Sequence, residues 1–358
     1  MIKKKMFLFL TLLVMMLALA GCSDSKESDG SEGSGDKGKE FKVGFAIKTQ
    51  DSPYFVSLVD AVEEYGKAEG WKVSVLDAGG DTSKEAENME TFISQGVDLI
   101  YLDAVEPDSV IPSINKAAEA GIGVINLDSG VGEEAKSITT IYSDNKQNGR
   151  LVGLAYAEKM GDEEIVSIVL SGAKGNVAGT ERRTGLFTGI LEGKLGISEE
   201  EAWKLSEEFD SQLTSKGKAS NEEAKFSVVG QGWGGWTEEE GLKAAEDLIT
   251  ANSNITTVLG ENDQMLFGAM KALKNAENDK VDIVAAADGA VEAYDLIKEG
   301  KYFATGENSP YKVAKLGIEI GKQILVDGKD PESYDKITMT EPAAVTKDNV
   351  DEYYEFGF

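Results

Sequence analysis

The chain has 358 residues, 41% hydrophobic and 28% charged, with a formal net charge of −28, one cysteine and no histidine. That length suits two globular domains of ordinary size. The acidic surplus argues against a nucleic-acid partner, and the missing histidine removes the commonest general base and metal ligand.

Residues 1–20 read as a secretory signal, with Lys3, Lys4 and Lys5 ahead of an apolar run that is short for a membrane span. The run ends in Leu19-Ala20-Gly21-Cys22, which resembles a bacterial lipobox; Cys22 would be the lipidated first residue of the mature protein. Residues 23–40 carry no apolar side chain and read as a flexible tether of roughly 25 Å. The folded part is therefore expected outside the cytoplasm, anchored to the cell membrane by Cys22. No disulfide is possible in the mature chain.

Apolar runs then alternate with amphipathic stretches. Strands are predicted over residues 42–47, 72–76, 97–102 and 122–127, with helices starting at Pro53, at Thr82 or Ser83, and at Asp108. The pattern restarts with strands over 165–170, 226–229, 255–260, 281–287 and 302–306, and helices over 180–191, 238–250, 290–298 and 310–325. Such alternation predicts parallel, doubly wound α/β sheets in two like halves. Residues 142–148 are a candidate crossover between them. Residues 197–225, polar and rich in Glu, Ser and Lys, read as a surface insertion with some helix. Residues 327–358 read as short strands and a last helical turn.

In open α/β sheets a ligand lies outside the carboxyl ends of the strands. Those ends carry Asp51, Ser52, Asp77, Asp103, Asp128, Trp233, Trp236, Asn262, Asp263, Asp288 and Asn308, with Tyr54 and Phe55 close by. Carboxylates and amides suit a ligand crowded with hydroxyls, and flat aromatic rings suit the C–H face of a sugar ring. Asp77, Asp103 and Asp263 are read as caps or strand ends. Asn262, Asp128, Asp288 and Trp236 are read as ligand contacts, with Trp233 evenly balanced and one of Tyr54 and Phe55 facing the cleft. Arg183, a cation in the first turn of its predicted helix, needs a specific partner. No catalytic residue, cofactor or metal is expected; Asp128 and Asp288 could serve a glycosidase in principle, but no activated nucleophile accompanies them.

The stretches SPYFVSLVDAVEEYG, ISQGVDLIYLDAVEPDSV, GIGVINLDSGV, YSDNKQNGRLVG, ERRTGLFTGI, GENDQMLFGAMKALK, ADGAVEAYDLIKEG and VTKDNVDEY, in this order and spacing, resemble the ribose/galactose-type sugar-binding proteins that serve ABC importers. The resemblance runs from about Phe41 onward. It implies two doubly wound parallel-sheet domains of the periplasmic-binding-protein type I class, joined by a three-strand hinge near Ser143, Asn308 and Met339. The expected lobes are residues 41–143 plus 309–339 and residues 144–308 plus 340–358, after a signal (1–21) and a tether (22–40). It implies ligand contacts at Ser52, Tyr54, Phe55, Asp128, Arg183 (rather than Arg182), Trp236, Asn262, Asp288 and Asn308, with Asp51 and Trp233 as further candidates. Family members usually have Asn or Asp where Ser52 stands, and ribose-type members often have arginine where Ser129 stands. Residues 161–164 are too short for the calcium loop of galactose-type members. The partners implied are a monosaccharide, a galactose- or glucose-like hexose favoured over ribose, and an ABC permease, with the receptor a monomer. The alternative is a receptor of the same fold for a nucleoside or furanose signal, or a co-receptor of a sensor kinase.

Overall fold

The computed structural model describes residues 40–278 and 280–358. The expected signal, Cys22 and the tether up to Lys39 lie outside the described residues.

The first lobe is built on a parallel sheet of β1 (Lys42–Ile47), β2 (Lys72–Asp77), β3 (Leu99–Leu102), β4 (Gly123–Leu127), β5 (Thr139–Ser143) and β12 (Ile337–Thr340), in the order β12-β5-β4-β3-β1-β2. Its strands are near-continuous apolar runs because both faces are covered. Phe45, Ile47, Tyr101 and Ile125 meet α1 (Pro53–Ala68) and α10 (Pro310–Leu325) on one face. Ile100, Leu102 and Val124 meet α2 (Thr82–Gln95) and α3 (Ile111–Glu119) on the other. The cap of α2 is neither Thr82 nor Ser83 but Asp81, whose carboxylate accepts from the amides of Ser83 and Lys84. An ionised acceptor at that end also suits the helix dipole.

The second lobe carries β6 (Ile165–Ser171), β7 (Ala219–Asn221), β8 (Phe226–Trp233), β9 (Thr257–Gly260), β10 (Asp282–Ala285), β11 (Ala304–Gly306) and β13 (Ala344–Thr346). Their order is β13-β11-β10-β9-β6-β8-β7, parallel except for the two antiparallel edge strands. Its helices are α4 (Asn145–Met160), α5 (Val177–Leu195), α6 (Glu199–Lys216), α7 (Glu238–Ala251), α8 (Asp263–Asn275), α9 (Val291–Glu299) and α11 (Val350–Tyr353). The chain passes between the sheets after β5, between β11 and α10, and between β12 and β13. None of the described helices is long and apolar enough to cross a membrane.

Two segments differ from the sequence reading. Residues 197–225 are not a surface insertion. A capping box of Ser198 and Glu201 starts α6, which buries Ala202, Phe209 and Leu213, and Phe209 stacks on Phe226 at 4.7 Å. The segment then supplies edge strand β7. Its many charges occupy only the outer face, and three buried apolar positions among them are a faint signal.

The second is α4, which has no clear apolar stripe because glycine does the packing. A Cβ on Gly149 or Gly153 would lie 2.5 or 2.4 Å from backbone oxygens of α5, and one on Gly185 or Gly189 would lie 2.4 or 2.0 Å from those of α4. The two backbones touch only because all four are glycine. This contact presses the start of α4 against the start of α5, where the site's arginine stands.

Candidate functional site

The carboxyl ends of both sheets face a common space between the lobes. On the second-lobe side, Arg182 in the first part of α5 donates from Nη1 to Asp288 Oδ1 at 2.9 Å and from Nε to Asn145 Oδ1 at 2.8 Å. Asn308 follows β11; its side-chain amide reaches the same Asp288 oxygen at 3.4 Å, and its backbone N–H donates to the Asp288 carbonyl at 2.9 Å. The Arg182 guanidinium stands 5.7 Å over the Trp236 ring. Trp236 has φ +65, unusual for a bulky residue. Its ring lies on the backbone of Gly172, where any Cβ would come within 1.9 Å. Asn262 holds the tryptophan by donating to its carbonyl at 3.3 Å.

On the first-lobe side, Lys48 follows β1 and lies 4.2 Å over the Phe55 ring. Its ammonium sits 3.3 Å from Asp128 and 3.4 Å from Asp103, and donates to the Ser129 hydroxyl. Asp128 has φ +63, a conformation aspartate tolerates better than most residues. Asp103 is fully buried, and among the described residues neither of its oxygens has a hydrogen-bond partner; the buried Tyr54 hydroxyl has none either. Burial pushes Asp103 up to about 7, against the pull of Lys48. Burial alone would lower Lys48, but the two carboxylates outweigh it and raise it.

The half-sites act on each other electrostatically. Burial raises Asp288; Arg182 opposes this, while Asp128 of the other lobe adds to it. Burial also raises Tyr54, Asp128 adds to it, and Arg182 opposes it from across the cleft. Asp128 and Tyr54 thus lie within electrostatic reach of Asp288 and Arg182 respectively. Ser52 begins α1 without making a side-chain cap hydrogen bond, and Asp51 is exposed in the preceding loop. Trp233 ends β8, with Lys174 at 5.5 Å over its ring.

Several residues stand otherwise than expected. Arg183 points away from the cleft: it grips Asp210 of α6 through two nitrogens (2.6 and 3.1 Å) and Glu261 at 2.5 Å. It does have a specific partner, but a structural one; the cleft arginine is its neighbour Arg182. One residue step along a helix rotates the side chain by about 100°, so the two neighbours project to different sides. Of Asn262 and Asp263, the asparagine and not the aspartate is the helix cap, and the aspartate is buried. Asn262 caps α8 by accepting from the Met265 amide at 3.1 Å. Asp263 lies beneath the cleft floor, accepting from the amides of Gly289 and Ala290 and from the Tyr302 hydroxyl, and burial pushes it up to about 6. Asp77 and Asp103 stand at strand ends as expected; Asp103 caps nothing, whereas Asp77 closes a turn by accepting from the Gly79 amide at 2.7 Å. Lys48 and Asn145 went unsingled in the sequence; their signal was position alone, one just past β1 and one at the start of α4. Among the described residues no carboxylate cluster is arranged to hold a metal ion.

Two lobes on doubly wound sheets, with charged and aromatic groups converging between them, define a binding protein that takes its ligand in an interlobe cleft. The chain belongs to the periplasmic binding protein domain family, which it matches over residues 43–330. It is a binding protein rather than an enzyme. It is 29% identical over 323 residues to the ribose import binding protein RbsB of Bacillus subtilis strain 168, covering 90% of this chain and 93% of the relative. It is 24% identical to a D-ribose/D-allose-binding protein of Pseudomonas aeruginosa PAO1, covering 81% of this chain and 84% of the relative. A solute-binding protein of an ABC transporter from Actinobacillus succinogenes 130z, solved with bound D-allose, shares the fold with a TM-score of 0.71 at 24% identity, covering 88% of this chain and all of that one.

Proposed function

We propose that this protein is an extracytoplasmic, lipid-anchored receptor that binds a monosaccharide between its lobes and delivers it to an ABC permease. One observation carries the reading. The prepaired Arg182–Asp288–Asn308 group, with Arg182 over Trp236, faces a first-lobe group in which, among the described residues, the Tyr54 hydroxyl and the buried Asp103 carboxylate (ion-paired with Lys48) lack hydrogen-bond partners. Buried polar groups are seldom left unpaired, so these acceptors and donors ask for ligand hydroxyls. Charged hydrogen-bonding groups beside a flat ring fit a sugar, with Trp236 beneath its C–H face and Asp128, Asp288 and Lys48 at its hydroxyls.

Arg182 replaces Arg183 as the ligand arginine, because Arg183 is consumed by Asp210 and Glu261. A hexose is favoured over ribose by the tryptophan platform and by Ser129 where ribose-type members often have arginine. The names of the relatives put ribose and allose beside glucose and galactose as candidates. Closure follows from differential affinity: a ligand touching both lobes binds the closed state better. Cys22 as lipid anchor and the permease as recipient complete the reading.

A thermal-shift screen against D-ribose, D-allose, D-glucose, D-galactose and nucleosides tests it. A ligand at about 100 times its Kd adds about 2.7 kcal/mol, a shift of several degrees. A shift with one or two related sugars identifies the ligand class. No shift with any sugar, but one with a nucleoside, sinks the sugar assignment.

A further inference from the structure

The segment that follows α11 ties the lobes together at a point the cleft groups above leave out. Val350 is buried in the second-lobe core, and a short 3₁₀ turn, Tyr354–Phe356, follows. The Ser309 hydroxyl donates to the Phe356 carbonyl at 2.6 Å, and Lys312 of α10 lies 5.1 Å over the Phe356 ring. Gly357 sits so close to α9 that a Cβ there would lie 2.8 Å from a Val291 methyl. The Val291 amide, in the first turn of α9, then donates to the Phe358 carbonyl at 3.0 Å. That helix needs such an acceptor, since its N-cap residue Ala290 has no side chain to supply one. The Phe358 ring meets Tyr54 of the first lobe edge-on, 5.5 Å between centroids at 90°, and Tyr54 meets Phe55 in the same manner at 5.4 Å.

Phe358 is thus held by its backbone to one lobe and by its ring to the other. We propose that Phe358 is a positioning residue of the cleft, a noncovalent tie beside the three chain crossings that fixes the Tyr54 ring and favours the closed arrangement. Opening the lobes moves Tyr54 away from the Val291 amide, so Phe358 cannot keep both contacts in the open state. A contact made in one state only shifts the equilibrium toward that state. Ligand retention then depends on a ring that need not touch the ligand. The effect on sugar retention rests on the function proposed above; the tie itself does not.

The test is a double-mutant cycle on the whole protein with Phe358→Ala, Tyr54→Ala and both together. It is read first by urea unfolding without sugar and then, for Phe358→Ala, by the affinity and dissociation rate of whichever of D-ribose, D-allose, D-glucose and D-galactose binds. Non-additive unfolding is expected. Phe358→Ala should also weaken whichever sugar binds by about threefold to tenfold, mostly through faster dissociation, with Phe358→Tyr restoring it. Additive unfolding overturns the proposal, and so does an unchanged dissociation rate. If the unsubstituted protein binds none of the four sugars, the sugar assignment falls, and the unfolding cycle alone decides whether the tie exists.

Discussion

On the second-lobe side of the cleft the polar groups already hold one another: Arg182 bonds Asp288 and Asn145, Asn308 bonds Asp288, and Asn262 bonds the Trp236 carbonyl. On the first-lobe side one lysine serves two carboxylates, and Asp103 and the Tyr54 hydroxyl are left without hydrogen-bond partners among the described residues. The first arrangement is preorganised, which lowers the ordering cost of binding. The second leaves desolvated groups which, under the proposed function, the ligand would satisfy, so a ligand lacking the matching hydroxyl is expected to be rejected there. Affinity and discrimination are accordingly expected from different lobes.

The largest expected effect separates scaffold from cleft. Arg183→Ala leaves Glu261 and Asp210 without their buried partner and should cost about 3–5 kcal/mol of stability, read by urea unfolding. Sugar affinity, measured where the variant is folded, should change little. A selective loss of affinity with unchanged stability would return Arg183 to the cleft. Arg182→Ala should do the opposite, weakening sugar binding by about 2–4 kcal/mol in calorimetry as Asp288 loses its charged partner. Trp236→Ala should cost about 1–3 kcal/mol of affinity through lost stacking area. A fall in melting temperature without any change in affinity would make that ring structural.

A pH series sharpens the comparison from the other lobe. The Asp103 carboxyl rises from its unfolded value of about 3.9 to about 7 in the folded protein. Between those values the folded state holds a proton that the unfolded state has released, so stability is greatest at the acid end and falls as pH climbs toward 7. Asp263, at about 6, adds a fall of the same sign that ends earlier. Asp103→Asn should flatten the part of the curve above 6 and about halve the slope below it, where Asp263 alone still contributes. An unchanged curve would show that Asp103 stays ionised beside Lys48. The smallest effect belongs to Ser52→Ala: the hydroxyl caps nothing, so α1 should keep its stability while affinity falls by about 1 kcal/mol.

The fold was readable because covered parallel strands need unbroken apolar runs, and helices on their faces need a repeat near 3.6 residues. Both patterns survive in the sequence from Lys42 to Leu325. They fail at α4, where Gly149 and Gly153 pack by backbone contact and leave no apolar stripe, and at α6, where the acidic outer face hides Phe209 and Leu213. Strand ends could be located the same way, which is why Asp128, Asp288 and Asn308 were singled out. Which neighbour at a strand end faces the ligand was not readable. Arg182 and Arg183, or Asn262 and Asp263, are adjacent in sequence and chemically alike, and one step along a helix or its cap turns a side chain from cleft to core. The sequence by itself determined two wound sheets and the polar ends that line the space between them. The tertiary structure decided that Asp210 and Glu261 claim Arg183, that Lys48 serves Asp103 and Asp128, and that Phe358 reaches Tyr54. Those are contacts between chain segments 27 to 304 residues apart, set by packing rather than by any local pattern.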